Sequence, residues 1–101
     1  MATVAPFPYT TFHAANDAPI ANGLLSIRLN VDGNVDTGSG TLQLCSGIEV
    51  KIPLNQFGIV NGNLNVWPNA DITPSGTYYV YSVYSAKGDL VLGPSIVTVA
   101  A

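Results

Sequence analysis

Two segments alternate apolar and polar residues without a slip. Leu25-Ser26-Ile27-Arg28-Leu29-Asn30 has an aliphatic side chain at every second position, and Ile48-Glu49-Val50-Lys51-Ile52-Pro53-Leu54 repeats the pattern with charges between the aliphatics. Successive side chains of an extended chain point to opposite faces, so a period of two gives each segment one dry and one wet side. No stretch carries the i, i+3, i+4, i+7 spacing that an amphipathic helix keeps over three turns. The pattern predicts an all-β fold.

At 101 residues the chain has room for one domain, and its turn formers mark off seven or so short strands. These are expected near residues 9–14, 24–30, 41–45, 48–54, 63–67, 77–85 and 90–92, with 96–99 closing the chain after Gly93-Pro94 interrupts the pairing, because proline has no N–H for a ladder. Residues 1–8 are expected as an extended N-terminal arm, and residues 31–40, rich in Gly, Asn and Asp, as a loop. Asn61-Gly62 fits a two-residue hairpin turn, and Lys87-Gly88-Asp89 another tight turn. Short strands at this spacing predict an antiparallel β-sandwich, immunoglobulin-like or transthyretin-like, as a single domain over 1–101. The expected inward residues are Leu25, Ile27, Leu29, Val50, Ile52, Leu64, Val66, Val80 and Leu92.

Composition narrows function more than fold. The chain is 48% apolar and only 9% charged, against roughly 25% charged in an average soluble protein; disorder needs the opposite balance. Three basic residues (Arg28, Lys51, Lys87) against six acidic ones cannot build the positive stripe that nucleic-acid phosphates require. No run of about eighteen apolar residues exists for a membrane helix, so membrane insertion is not expected. The first residues lack the basic-then-apolar order of a secretory signal. A surface this poor in charge consists of Ser, Thr, Asn, Gly and Tyr, with little repulsion to hold copies apart. It suits a protein that lives in an assembly or works outside the cell; the alternative is an ordinary soluble monomer with a neutral polar coat.

Residues able to do chemistry are few. The lone cysteine, Cys45, allows no intramolecular disulfide, and neither it nor the lone histidine, His13, has a local catalytic or zinc-binding signature. Asp32-Gly33-Asn34-Val35-Asp36 has oxygen side chains at alternate positions, as a calcium loop does, but lacks the terminal glutamate and flanking helices; Asp and Asn also fill turns by bonding their own backbone. Neither a metal nor a cofactor is expected, nor an enzyme. The informative segment is Tyr78-Tyr79-Val80-Tyr81-Ser82-Val83-Tyr84. Alternation sets Tyr79, Tyr81 and Val83 on one face and Tyr78, Val80, Ser82 and Tyr84 on the other. Tyr79, Tyr81, Tyr84 and Trp67 are the candidate interaction surface, since exposed aromatics offer large area, a polar handle and little rotamer entropy. Sugar rings or a neighbouring subunit are the two expected occupants; the alternative is one core face and one ordinary strand surface.

From Trp67 to Tyr79 the chain reads Trp-Pro-Asn-Ala-Asp-Ile-Thr-Pro-Ser-Gly-Thr-Tyr-Tyr. This resembles a segment of small β-sandwich domains in bacteriophage tail and tail-fibre proteins. There an aromatic strand end is followed by Asn (here Asn69), an Ile-x-Pro step (Ile72, Pro74), then Gly76 and Thr77-Tyr78-Tyr79 opening a strand. Asp17-Ala18-Pro19-Ile20-Ala21-Asn22-Gly23 and Lys87-Gly88-Asp89-Leu90-Val91 are similar to the same domains' lead into an early strand and their penultimate hairpin. Either an excised domain or a small stand-alone virion protein is expected. The resemblance implies a virion structural protein assembled in the host cytoplasm, forming a homo-oligomer and docking to other virion proteins, and it carries no catalytic residues across. Physically, Ile72 is expected to plug one end of the sandwich, Pro74 to keep Thr73 extended, and Gly76 to permit the turn. A carbohydrate-binding or adhesin module is the competing expectation, with a glycan as ligand.

Overall fold

The computed structural model describes residues 3–37 and 42–100. Its strands are β1 (Ala5–Pro6), β2 (Leu24–Leu29), β3 (Gly33–Asp36), β4 (Leu42–Cys45), β5 (Val50–Pro53), β6 (Asn65–Val66), β7 (Ile72–Thr73), β8 (Tyr79–Tyr84) and β9 (Leu90–Val97). All pairings are antiparallel. A four-stranded sheet runs β5-β2-β8-β9, a three-stranded sheet β4-β3-β7, and β1 and β6 form a short ribbon. No α-helix occurs among the described residues. The architecture is the all-β sandwich that the alternation predicts.

The core starts from β2, whose Leu25, Ile27 and Leu29 are all buried. Their register sets Leu25 beside Val83, Ile27 beside Tyr81 and Leu29 beside Tyr79. Val35 and Ile72, paired across the three-stranded sheet, join the same cluster with Phe7, Phe12, Leu54, Val60 and Val99. Fully burying one such side chain is worth about 1.5–3 kcal/mol, so twelve of them can hold a domain that has no disulfide.

The structure departs from the sequence expectations where tertiary pairing overrides local preference. Residues 33–36, expected within a loop, form the central strand of the three-stranded sheet, bonded on both sides, with Val35 wholly buried; their Gly and Asn are poor strand formers, and two partners impose the conformation. The turn-rich residues 38–40, and Thr41 at the start of the next expected strand, lie outside the described residues. The expected strand over 9–14 is reduced to isolated bridges, Thr11 to Ile59 and His13 to Pro19, because the turn at residues 14–18 folds the chain back at once. Asn61-Gly62 joins strands of different sheets instead of closing a hairpin, since β5 pairs with β2 and β6 with β1. Lys87-Gly88-Asp89 does close the β8–β9 hairpin, with Ser85 donating to Asp89 O at 2.8 Å. The N-terminal segment is extended but tied down: Phe7 is 1% exposed and donates its N–H to Leu64 O at 2.9 Å.

Two expected core positions lie elsewhere. Val50 is 52% exposed because β5 is an edge strand, paired with β2 alone among the strands described. Val80 is half-buried on the opposite side of the sheet, between Arg28 and Ile96. Ile52, Leu64, Val66 and Leu92 pack half-buried against the core. Gly93-Pro94 does not end the last strand: β9 runs through it, with the register slipping between Tyr81–Ser95 and Val83–Leu92. A bulge on an edge strand is where a ladder tolerates proline. Gly93 has φ +85, and a Cβ there would stand 2.7 Å from Tyr81 O.

Two substitutions test this packing in denaturant titrations. Phe7→Ala, by emptying the centre of the aromatic cluster, is expected to cost about 3–5 kcal/mol; a loss under 1 kcal/mol would show that the N-terminal segment is not docked. Gly93→Ala is expected to destabilise by more than the ~1 kcal/mol typical of a strained glycine site, because backbone and not a movable side chain opposes the methyl group.

Candidate functional site

Of the four aromatic candidates, Tyr79 is not on the surface. It is buried, and its hydroxyl donates to Trp67 O at 2.7 Å. The alternation of β8 is responsible: the face that carries Tyr79, Tyr81 and Val83 is the core face. Tyr81 is half-buried, edge-on to Phe7 with centroids 6.1 Å apart and 5.4 Å from the exposed Tyr9. Trp67 is half-buried against the core, and Tyr84 half-buried on the outer face between Leu24 and Leu90. The structure therefore does not gather the four into one exposed patch. It brings Tyr81 together with Tyr9 and Phe7, two rings outside the candidate surface read from the sequence, because the docking of their segment against β8 is a tertiary contact.

The Trp67–Tyr79 motif is tied to the rest of the fold by hydrogen bonds. A single 3-10 turn over Asn69–Asp71 follows Pro68. The buried Asn69 donates from Nδ2 to Thr77 Oγ1 at 3.1 Å and accepts at Oδ1 from the Val99 N–H at 2.7 Å, while its own N–H reaches Val99 O at 3.0 Å. One side chain thus ties the loop, the start of β8 and the C-terminal segment. Ile72 is buried beside Val35, Thr73 is extended before Pro74, and Gly76 has φ +83. Tyr78 and Asn30 bond reciprocally, Tyr78 N–H to Asn30 Oδ1 and Asn30 N–H to Tyr78 O, each at 3.0 Å. These groups are spent on one another, as a structural motif requires.

At the β8–β9 turn a cavity of about 450 Å³ opens, lined by His13, Pro19, Ile20, Ser85, Lys87 and Leu92 among others. His13 Nδ1 lies 2.9 Å from Asp17 Oδ1, which would orient the imidazole, but Asp17 is 93% exposed. Water competes for so open a pair, and such pairs contribute little. Ser85 Oγ accepts from the Asp89 N–H at 3.3 Å and serves the turn. Cys45 lines a separate, smaller cavity with Asp32, Gly33, Leu44 and Ser46, and burial pushes its thiol pKa up, away from the reactive thiolate. Asp32 accepts from the Gly47 N–H at 2.6 Å, which ties the segment before β3 to the connection between β4 and β5. Among the described residues no three His, Cys, Asp or Glu side chains cluster as a metal site.

What the geometry does expose is aliphatic. Leu42 and Leu44 on the outer face of β4 are 60% and 79% exposed, Ile48 before β5 is 75%, and Ile96 on β9 is 67%. Their signal was in the sequence, since each alternating strand needs only one dry face, but which strands lie at an edge is a topological fact. Compared with protein-family models, curated proteins and solved structures, the chain finds no match in any of the three.

Burial pushes the Tyr79 phenol up to about 12, with the neighbouring Cys45 charge adding to it, from an ordinary value of 10.0. The folded state therefore favours neutral Tyr79. Its contribution to stability is whole below pH 10.0 and is lost as the pH rises to about 12. Ultraviolet titration of phenolate should resolve one tyrosine with that late midpoint, and Tyr79→Phe should remove it; five tyrosines titrating together near their ordinary value would contradict the burial. Asn69→Ala, which leaves the Val99 N–H without its acceptor, is expected to cost about 2–4 kcal/mol by chemical denaturation.

Proposed function

We propose that this domain is a non-enzymatic structural module that works by self-association and by docking to other proteins of an assembly. The observation that carries the reading is the combination of bare aliphatic edges with an almost uncharged exterior. Strand edges present unpaired N–H and C=O groups, and proteins that stay monomeric blunt them with charge, bulges or cover. Here three basic and six acidic residues serve the whole surface, and Leu42, Leu44, Ile48 and Val50 stand uncovered on β4 and beside or on β5. Contact with another protein would bury that area, and the polar residues that the sequence singled out are engaged in holding the fold.

The setting we favour is a bacteriophage virion or tail, and the support for it is the likeness of residues 67–79 to tail-protein sandwich domains. Capsid, portal or baseplate genes beside its own would strengthen that setting. The glycan reading draws on the Tyr9–Tyr81 pair, but the two rings are tilted by 47°, which leaves no flat platform for a sugar face. Light scattering and native mass spectrometry across a concentration series test association directly. A multimer population that grows with concentration is expected, and a strict monomer at the highest concentration would overturn the proposal.

A further inference from the structure

We infer that the free edge of β5 pairs with the same edge of a second copy of this chain about a two-fold axis, joining two four-stranded sheets into one of eight strands. The inference rests on the self-association reading and gives it a surface.

The hydrogen-bond phase of the sheet comes first. Leu54 donates its N–H to Gly23 O at 2.9 Å, and the β2–β5 register continues from there through Leu25–Ile52 and Ile27–Val50. Bonded pairs alternate in an antiparallel ladder, so Leu54, Ile52 and Val50 direct their backbone groups at β2. The other side of β2 agrees: Asn30 bonds Tyr78, which assigns the even-numbered residues of β2 to β8. Lys51, and Glu49 just before the strand, therefore turn their N–H and C=O outward. Beyond them the edge closes, because Pro53 has no N–H and its carbonyl accepts from Asn61 at 3.1 Å. The open stretch is centred on Val50.

A two-fold axis through Val50 makes this stretch complementary to itself. Glu49 of one copy lies opposite Lys51 of the other, twice, and each such pair exchanges two backbone hydrogen bonds. On the core-side face Val50 meets Val50 and Ile48 meets Ile52, so Ile48 and Val50, 75% and 52% exposed alone, gain apolar neighbours. Glu49 is already held in place on the outer face, accepting from the buried Ser26 hydroxyl at 2.6 Å with Lys51 Nζ 3.8 Å away. A lysine by itself blunts an edge; matched by a glutamate two residues earlier, it specifies an antiparallel partner. The β4 edge carries Leu42, Gln43 and Leu44, with no charge to set a register, and β9 is broken by its bulge.

Charge reversal provides the test, by analytical ultracentrifugation with circular dichroism as a check on folding. Glu49→Lys and Lys51→Glu each put like charges opposite one another twice in the homodimer, and each should weaken dimerisation about tenfold or more. The doubly swapped chain should recover, and an equimolar mixture of the two single variants should form a heterodimer, since every opposed pair is then of opposite sign. Lys51→Pro, which removes an outward N–H but no bond to β2, should also block the dimer. A dimer indifferent to these changes but broken by Leu44→Ser would assign the contact to β4 and overturn this inference, leaving self-association intact. A chain that stays monomeric throughout would overturn both.

Discussion

Leu25, Ile27 and Leu29 of β2, set against Tyr79, Tyr81 and Val83 of β8, form the apolar surface on which every other element docks. Because β2 is bonded on both sides, its position is determined by two ladders at once, and its aliphatic face cannot slip by one residue without emptying the core into water. The three-stranded sheet contributes the buried Val35 and Ile72 to this surface, with Cys45 half-buried against it, and Phe7 and Phe12 belong to the same cluster. A domain this small, without disulfides, depends on that one contact being dry.

The Trp67–Tyr79 motif is held by a different physics. The Asn69 side chain satisfies one acceptor, Thr77 Oγ1, and one donor, the Val99 N–H, so the loop after Trp67, the entry to β8 and the segment at Val99 are mutually fixed by hydrogen bonds in a buried place where each unmade bond is costly. The tyrosine hydroxyl at the Trp67 carbonyl works in the same way. The polar groups of the motif are thus used in holding the fold, and under the proposed function contact with other molecules would fall to the open strand edges.

Association through such edges asks little of individual side chains. Main-chain groups supply the hydrogen bonds, and side chains supply register and exclusion of water. The one imidazole, His13, is paired with an open carboxylate, and burial holds the Cys45 thiol back from ionising.

The period-two alternation at residues 25–30 and 48–54 made the fold class and the inward face of β2 legible from the sequence, and the Ile-x-Pro step with Gly76 made the loop before β8 legible too. Both are local: strand alternation needs only neighbouring residues, and proline and glycine act on their own φ. Tertiary structure alone decided that Gly33–Asp36 is a central strand, that Tyr79 is core while Tyr84 is not, and that Val50 stands bare at a rim. Those outcomes depend on which strand lies beside which, and a strand's own residues cannot encode whether a neighbour covers it.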